Sequence, residues 1–433
     1  MGYINHSHAE PVLQVGRPPW LVFLFLAAVI FLIYHDLSYS RRGIGNYNLS
    51  QDDLITNMAG VSIVRRIALL SLGIFAVFNL VRHPANHRLR IDGPLAWVLL
   101  SFTVWAFISP IWAADSTLTL KRLVVLGLLW GAVLAVVRRF SLSDIILWTF
   151  SSSALFLFIG IFAEVLFGTF RPFTSGYRFA GSLHPNGQGI ECGLLLLSAV
   201  AAADVEKRRR AFFWAWAFVG FIFLLLTGSR TALSMTLLAL AVYLAAVHSR
   251  KSKVVVGCGL SIFTCFLLLF VGGGVVPGLK SVILLGRDDP GTVDSFNGRA
   301  MIWEDVGYYI RERPILGYGY DGFWTPDRIS VISDREKWGV PNAHSAYVEY
   351  TLTLGAVGLV AYSFSLFAGI WRAFRLHRIS QNSAFAFCGA ILVFCACDGL
   401  LESASVDEGS LLMMLWMTVL ARLAFVPPQK DFQ

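Results

Sequence analysis

Three basic sites stand where a mostly apolar chain turns polar, and their residue types limit the chemistry they can do. His344 lies at the polar start of "NAHSAYVEYTLTLGAVGLVAY", just before a greasy run. A free imidazole titrates near pH 6.5, so it can act as a general base worth roughly 10²–10⁴ in rate. A helix-start histidine bonding to lipid headgroups would look the same, with Asn342 as the helix cap. Arg171 and Arg178 lie in "FRPFTSGYRFAGSLHPNGQG", with no acid between Glu164 and Glu191. Guanidinium groups without local carboxylates suit an external anion, since their fork matches phosphate. The plainer alternative is a pair of loop arginines at the headgroups. Arg230 sits in "LLLTGSRTALS", a very short turn between two apolar runs. A charge that close to hydrocarbon is costly and calls for a partner or a function. It could also snorkel to the interface or pair with an acid such as Asp398. Glu402, Asp407 and Glu408 lie late in the chain and could pair with these arginines or supply another base. Glu349 is expected off the His344 face of its helix.

Other chemistries have no motif. The phosphate-binding Walker pattern, HExxH and zinc spacings are missing, and "GYGYDGF" lacks the βαβ context of a dinucleotide site. The six cysteines all fall within or beside apolar runs, with no CxxC pair. They read as core or lipid-facing residues, not as ligands or disulfides. No metal and no cofactor is expected.

The elements that must position these residues are set by composition. The chain has 433 residues, 56% hydrophobic and only 14% charged. A soluble domain would carry roughly a quarter charged residues. The expected fold is an all-α polytopic transmembrane bundle of about 12 spans by the rule of roughly 20 apolar residues each. The spans centre on residues 20–34, 67–81, 94–113, 123–137, 145–167, 189–203, 211–226, 231–247, 254–276, 345–371, 384–401 and 410–425. The first and sixth are the weakest. No cleavable signal peptide is expected, because further spans follow the first. The net charge of +8 fits basic cytoplasmic loops better than nucleic acid. With a cytoplasmic N-terminus every even loop is basic, from Arg82, Arg88 and Arg90 to Arg372, Arg375 and Arg378. The positive-inside rule then puts both termini in the cytoplasm. The first loop, with Arg41, Arg42, Arg65 and Arg66, is an exception. Three parts are expected: bundle residues 1–276, a large external loop over 277–343 with short helices, and bundle residues 344–433. An amphipathic pattern (Ile302, Val306, Tyr309, Ile310) predicts a helix ending before Pro314, followed by a glycine turn.

The segment "NGRAMIWEDVGYYIRERPILGYGYDGFW" followed by "NAHSAYVEYTLTLGAVGLVAY" resembles the signature region of the O-antigen ligase and polymerase superfamily. "YRFAGSLHPNGQG" and "TGSRTALS" are similar to that family's two upstream arginine motifs. The resemblance spans about residues 177–362, and "GYGYDGFW" looks most like the exopolysaccharide-polymerase branch. Ser345 stands where many members have Asn. The resemblance implies a metal-independent glycosyltransferase acting at the periplasmic face of the inner membrane. Its donor would be a polyprenyl-pyrophosphate-linked oligosaccharide and its acceptor a glycan. By motif, Arg178 and Arg230 would hold the pyrophosphate and His344 would activate the acceptor hydroxyl. A base opposite the leaving group would give inversion. Arg299, Tyr347 and Arg171 are second-rank candidates for binding substrate. A chain-length regulator and export machinery are the partners such an enzyme implies.

Polymerase and ligase share this chemistry and differ in acceptor: another lipid-linked repeat, or lipid A-core. The branch resemblance favours the polymerase. A transporter or flippase is the competing class. However, the central connection "DVEKRRR" is short and intramembrane acids are sparse, unlike common twelve-span carriers. A structural assembly subunit would tolerate loss of Arg230 and His344.

Overall fold

The computed structural model describes residues 20–42, 47, 50, 62–82, 87–248, 257, 259 and 295–427. Among them are thirteen α-helices and no strand. In chain order these are α1 Trp20–Tyr34, α2 Ile63–Val81, α3 Pro94–Ile108, α4 Ser116–Arg139, α5 Leu142–Leu166, α6 Pro185–Val205, α7 Arg210–Leu226, α8 Arg230–Val247, α9 Ser295–Glu312, α10 Pro326–Glu336, α11 Ala346–Ser380, α12 Ser383–Leu401 and α13 Leu411–Phe425. The fold is the all-α polytopic bundle the composition predicts. Nine of the described helical segments are long and apolar enough to cross a membrane, and α1 and α13 are shorter apolar helices. The run over 254–276 and the first part of the large loop lie outside the described residues, apart from residues 257 and 259.

The bundle is apolar on its outside as well as its inside. α2 exposes Ile63, Leu70, Ile74 and Val77, and α7 exposes Phe212, Trp214 and Phe218. Faces this greasy match hydrocarbon rather than water. α6 is the opposite case. It is 89% buried, packed among α5, α7, α8 and α12. Its Gln188, Glu191 and Ser198 therefore face protein, not lipid. Its weak hydropathy in the sequence follows from this: a helix shielded by neighbours can carry polar side chains.

α9 and α10 lie over one end of the bundle. Ile302 and Val306 of α9 are fully buried, as the amphipathic pattern predicts, against Phe323, Ile329 and Val340. Each such side chain contributes about 1.5–3 kcal/mol on burial. The glycine turn between α9 and α10 docks into a break in α11. At Gly355 the backbone leaves the helical region, with φ 68° and ψ −166°. The break frees backbone groups inside the bundle, and each must find a partner. Tyr318 N–H donates to Leu352 O (3.1 Å), Gly319 N–H to Thr353 O (2.8 Å), and Ala356 N–H to Pro314 O (2.8 Å). Trp105 Nε1 donates to Leu354 O at 3.1 Å. A Cβ on Gly355 would collide with the carbonyl oxygen of Ile315. The "PILGYG" turn is thus fastened to α11 one helical segment away from His344.

Candidate active site

Several helices end and begin at this same face, where a cavity of about 760 Å³ opens between the bundle and α9–α10. His344, Arg178, Arg230 and Arg299 all line it. Three helices start at its wall. His184 is the N-cap of α6, Ser229 of α8 and Ser345 of α11. Their aligned peptide dipoles point positive ends at the cavity, which favours an anion.

Three of these four sequence-predicted groups are joined by an acid. Glu402, the residue after α12, accepts from Arg299 Nη2 at 2.6 Å. Its second oxygen faces His344 Nδ1 at 3.6 Å. Asn186, in the first turn of α6, donates to Glu402 Oε1 at 3.0 Å and accepts from Arg178 Nη2 at 2.8 Å. Arg178 also donates through Nε to Thr227 O at 2.8 Å, at the end of α7. Burial alone would raise the Glu402 carboxyl. Arg299, then His344 and His184, outweigh it and hold the group down to about 2. Glu402 is therefore a fixed anion over the working pH range. His184 accepts from Asn186 N–H through Nδ1 at 3.2 Å. Burial, reinforced by Arg178, pushes its imidazole down to about 3, so it stays neutral.

His344 has an unusual backbone, with φ 49°. Its N–H donates to Asn342 Oδ1 at 3.0 Å. Ser345, not Asn342, caps α11; its hydroxyl accepts from Val348 N–H and donates to Gly399 O at 2.8 Å. The cap proposed for Asn342 is thus corrected: its side chain turns back to the His344 amide instead. The His344 ring sits beside Trp338, with centroids 5.6 Å apart. Its Nε2 is buried with no hydrogen-bond partner among the described residues. Nδ1 faces a carboxylate and Nε2 is the ring nitrogen without a partner, a geometry that suits a general base once a hydroxyl reaches it.

The other candidates fall elsewhere. Arg171 is exposed, bonded only loosely through Nε to Gly168 O at 3.3 Å. Tyr347 donates its hydroxyl to Ala396 O at 3.0 Å and does not line the cavity. Asp398 is fully buried, with no hydrogen-bond partner on its carboxylate oxygens among the described residues. Glu349 does line the cavity, contrary to the helix-face expectation, and accepts from Trp324 Nε1 at 2.9 Å and from Ala343 N–H at 2.6 Å. The positive φ at His344 uncouples that residue from the helical wheel, which is why the periodicity misplaced Glu349. His184 and Asn186 escaped the sequence reading. Their signal was the polar "LHPNGQG" opening a buried helix, where hydrogen-bonding groups must have partners.

The helical bundle thus encloses a chamber lined by arginines, carboxyl groups and an imidazole, a candidate site for polar or charged substrate. Residues 215–363 match the family model described as O-antigen ligase. That match covers about a third of the chain and holds Arg230, Arg299 and His344. No curated protein matches the chain.

Proposed function

We propose that the protein polymerises glycan repeats carried on polyprenyl pyrophosphate. Arg178, Arg230 and the three helix N-termini receive the pyrophosphate. Arg299 sits beside it, held by Glu402. The acceptor hydroxyl attacks the anomeric carbon, its proton passes to His344 Nε2, and the bond to the pyrophosphate oxygen breaks with its electron pair. Fixed cations in a low-dielectric chamber stabilise the charge that develops on the leaving group. Each charge-assisted hydrogen bond contributes roughly 1.5–3 kcal/mol. The in-line arrangement makes the transfer inverting, and the fixed guanidinium groups take the part a metal ion would otherwise play. By the charge bias of the loops, the chamber faces the periplasm from the cytoplasmic membrane, with both termini inside.

The observation that carries this reading is the convergence of His344 with Arg178, Arg230 and Arg299 on one cavity from four distant parts of the chain. A ligase adding the glycan to lipid A-core is the second reading, favoured by the description of the matching family. Reconstituted protein given only the native lipid-linked repeat separates them. A ladder of integral repeats by mass spectrometry is expected. No ladder, with transfer appearing only on adding lipid A-core, would establish the ligase instead.

A further inference from the structure

The cavity is larger than a pyrophosphate fills, and its two halves differ in chemistry. One half carries Arg178, Arg230 and Arg299. The other is rich in carboxyl groups and rings: Asp321, Asp407 and Glu408 line it with Tyr34, Tyr320 and Trp324, and Arg65 and Arg122 stand among them. Tyr34 donates its hydroxyl to Asp407 Oδ2 at 3.2 Å. Glu408 is buried, its side chain only 3% exposed. It pairs with Arg122 Nη1 at 3.5 Å through one oxygen, and the other has no partner among the described residues. A buried acceptor left open on a cavity wall is costly unless something completes it.

His344 stands at the seam. Glu402 faces its ring on the arginine side. On the other side Asn342 accepts its amide and reaches toward Asp407 Oδ1 at 3.5 Å. Resting on the glycosyl-transfer reading above, we propose that the half rich in carboxyl groups and rings is the acceptor site, and that it takes an uncharged, hydroxyl-rich sugar. Carboxyl groups exchange hydrogen bonds with paired hydroxyls, and flat rings cover the apolar face of a pyranose, the mix of apolar wall and few polar groups typical of ligand pockets. The acceptor hydroxyl then arrives next to His344 with the leaving group beyond the anomeric carbon.

Arg122 offers the acids a competing role. It also pairs with Asp321 at 3.1 Å, so the acids could serve only as a clamp between α4 and the two loops. The test uses full-length protein in lipid nanodiscs and isothermal titration with two probes. One is inorganic pyrophosphate. The other is the neutral oligosaccharide released by mild acid from the native lipid-linked repeat, titrated with pyrophosphate present. Wild-type protein is expected to bind both together. Asp407→Asn and Glu408→Gln should each weaken the oligosaccharide at least fivefold and leave pyrophosphate within twofold. Arg122→Gln, which breaks the clamp but keeps the acids, should leave the oligosaccharide within twofold. An equal loss in Arg122→Gln, or no change in the two acid variants, would overturn the acceptor assignment. So would failure of wild type to bind the oligosaccharide while pyrophosphate binds. Failure of pyrophosphate itself to bind would instead overturn the underlying transfer reading.

Discussion

Glu402 Oε2 lies 3.6 Å from His344 Nδ1, while its other oxygen takes the Arg299 guanidinium at 2.6 Å. One carboxylate therefore orients the base and one of the cations. On the proposed function it is a positioning residue, since its oxygens face protein groups. Glu402→Gln should lower kcat by roughly 10²-fold, the scale of general-base catalysis, with KM for the lipid-linked donor within threefold. Glu402→Asp should recover part of the rate. A rise in KM with unchanged kcat would show that Glu402 serves binding instead.

The arginines make a different prediction. Arg178→Ala and Arg230→Ala should each lower kcat/KM by roughly ten- to a hundredfold, the worth of one charge-assisted bond. Pyrophosphate binding should weaken by a similar factor. Arg171→Ala, which does not touch the cavity wall, should change neither. Steady-state kinetics in proteoliposomes measure all three.

How much of this was legible in the sequence depends on the signal each residue carries. The bundle was plain, because apolar runs of membrane length need hydrocarbon around them. His344, Arg178 and Arg230 stood out because charge at the edge of hydrocarbon is costly. Arg299 was a weaker candidate, one basic residue on an ordinary amphipathic helix. Glu402 was seen only as one of three late acids. Nothing local says which arginine it meets, since its partners lie 58 to 216 residues away. Tyr347 was a second-rank candidate, but helical rotation turns its hydroxyl to Ala396 O. The break at Gly355 was also hidden, because a glycine in an apolar run does not announce the turn that docks there.

That break yields a stability prediction. Gly355→Ala would force a Cβ against Ile315 O at a positive φ. The strain should cost at least about 2 kcal/mol, read as a lower unfolding temperature in detergent. An unchanged temperature would mean that the turn and helix are not held as described. His344→Gly is the counterpart. At φ 49° glycine relieves backbone strain, so the variant should fold with an equal or higher unfolding temperature while losing activity.

The late acids set a pH dependence. Burial raises Asp407 to about 7. Burial and neighbouring Asp321, against Arg122, raise Glu408 to about 8. A carboxyl raised on folding holds its proton where the unfolded chain has lost it. Stability is therefore lost as pH rises from the ordinary carboxylate range through these values. Asp407→Asn and Glu408→Gln remove that loss. Their unfolding temperatures should gain on wild type as pH rises through this window, and a constant difference would contradict the assignment.

The most direct measurement is transfer by purified protein in liposomes with the native lipid-linked repeat, following lengthened glycan and released polyprenyl pyrophosphate. Wild type should make both in equal amounts. His344→Ala should make neither, while still binding inorganic pyrophosphate as wild type does. Normal product from His344→Ala would contradict the account at its centre.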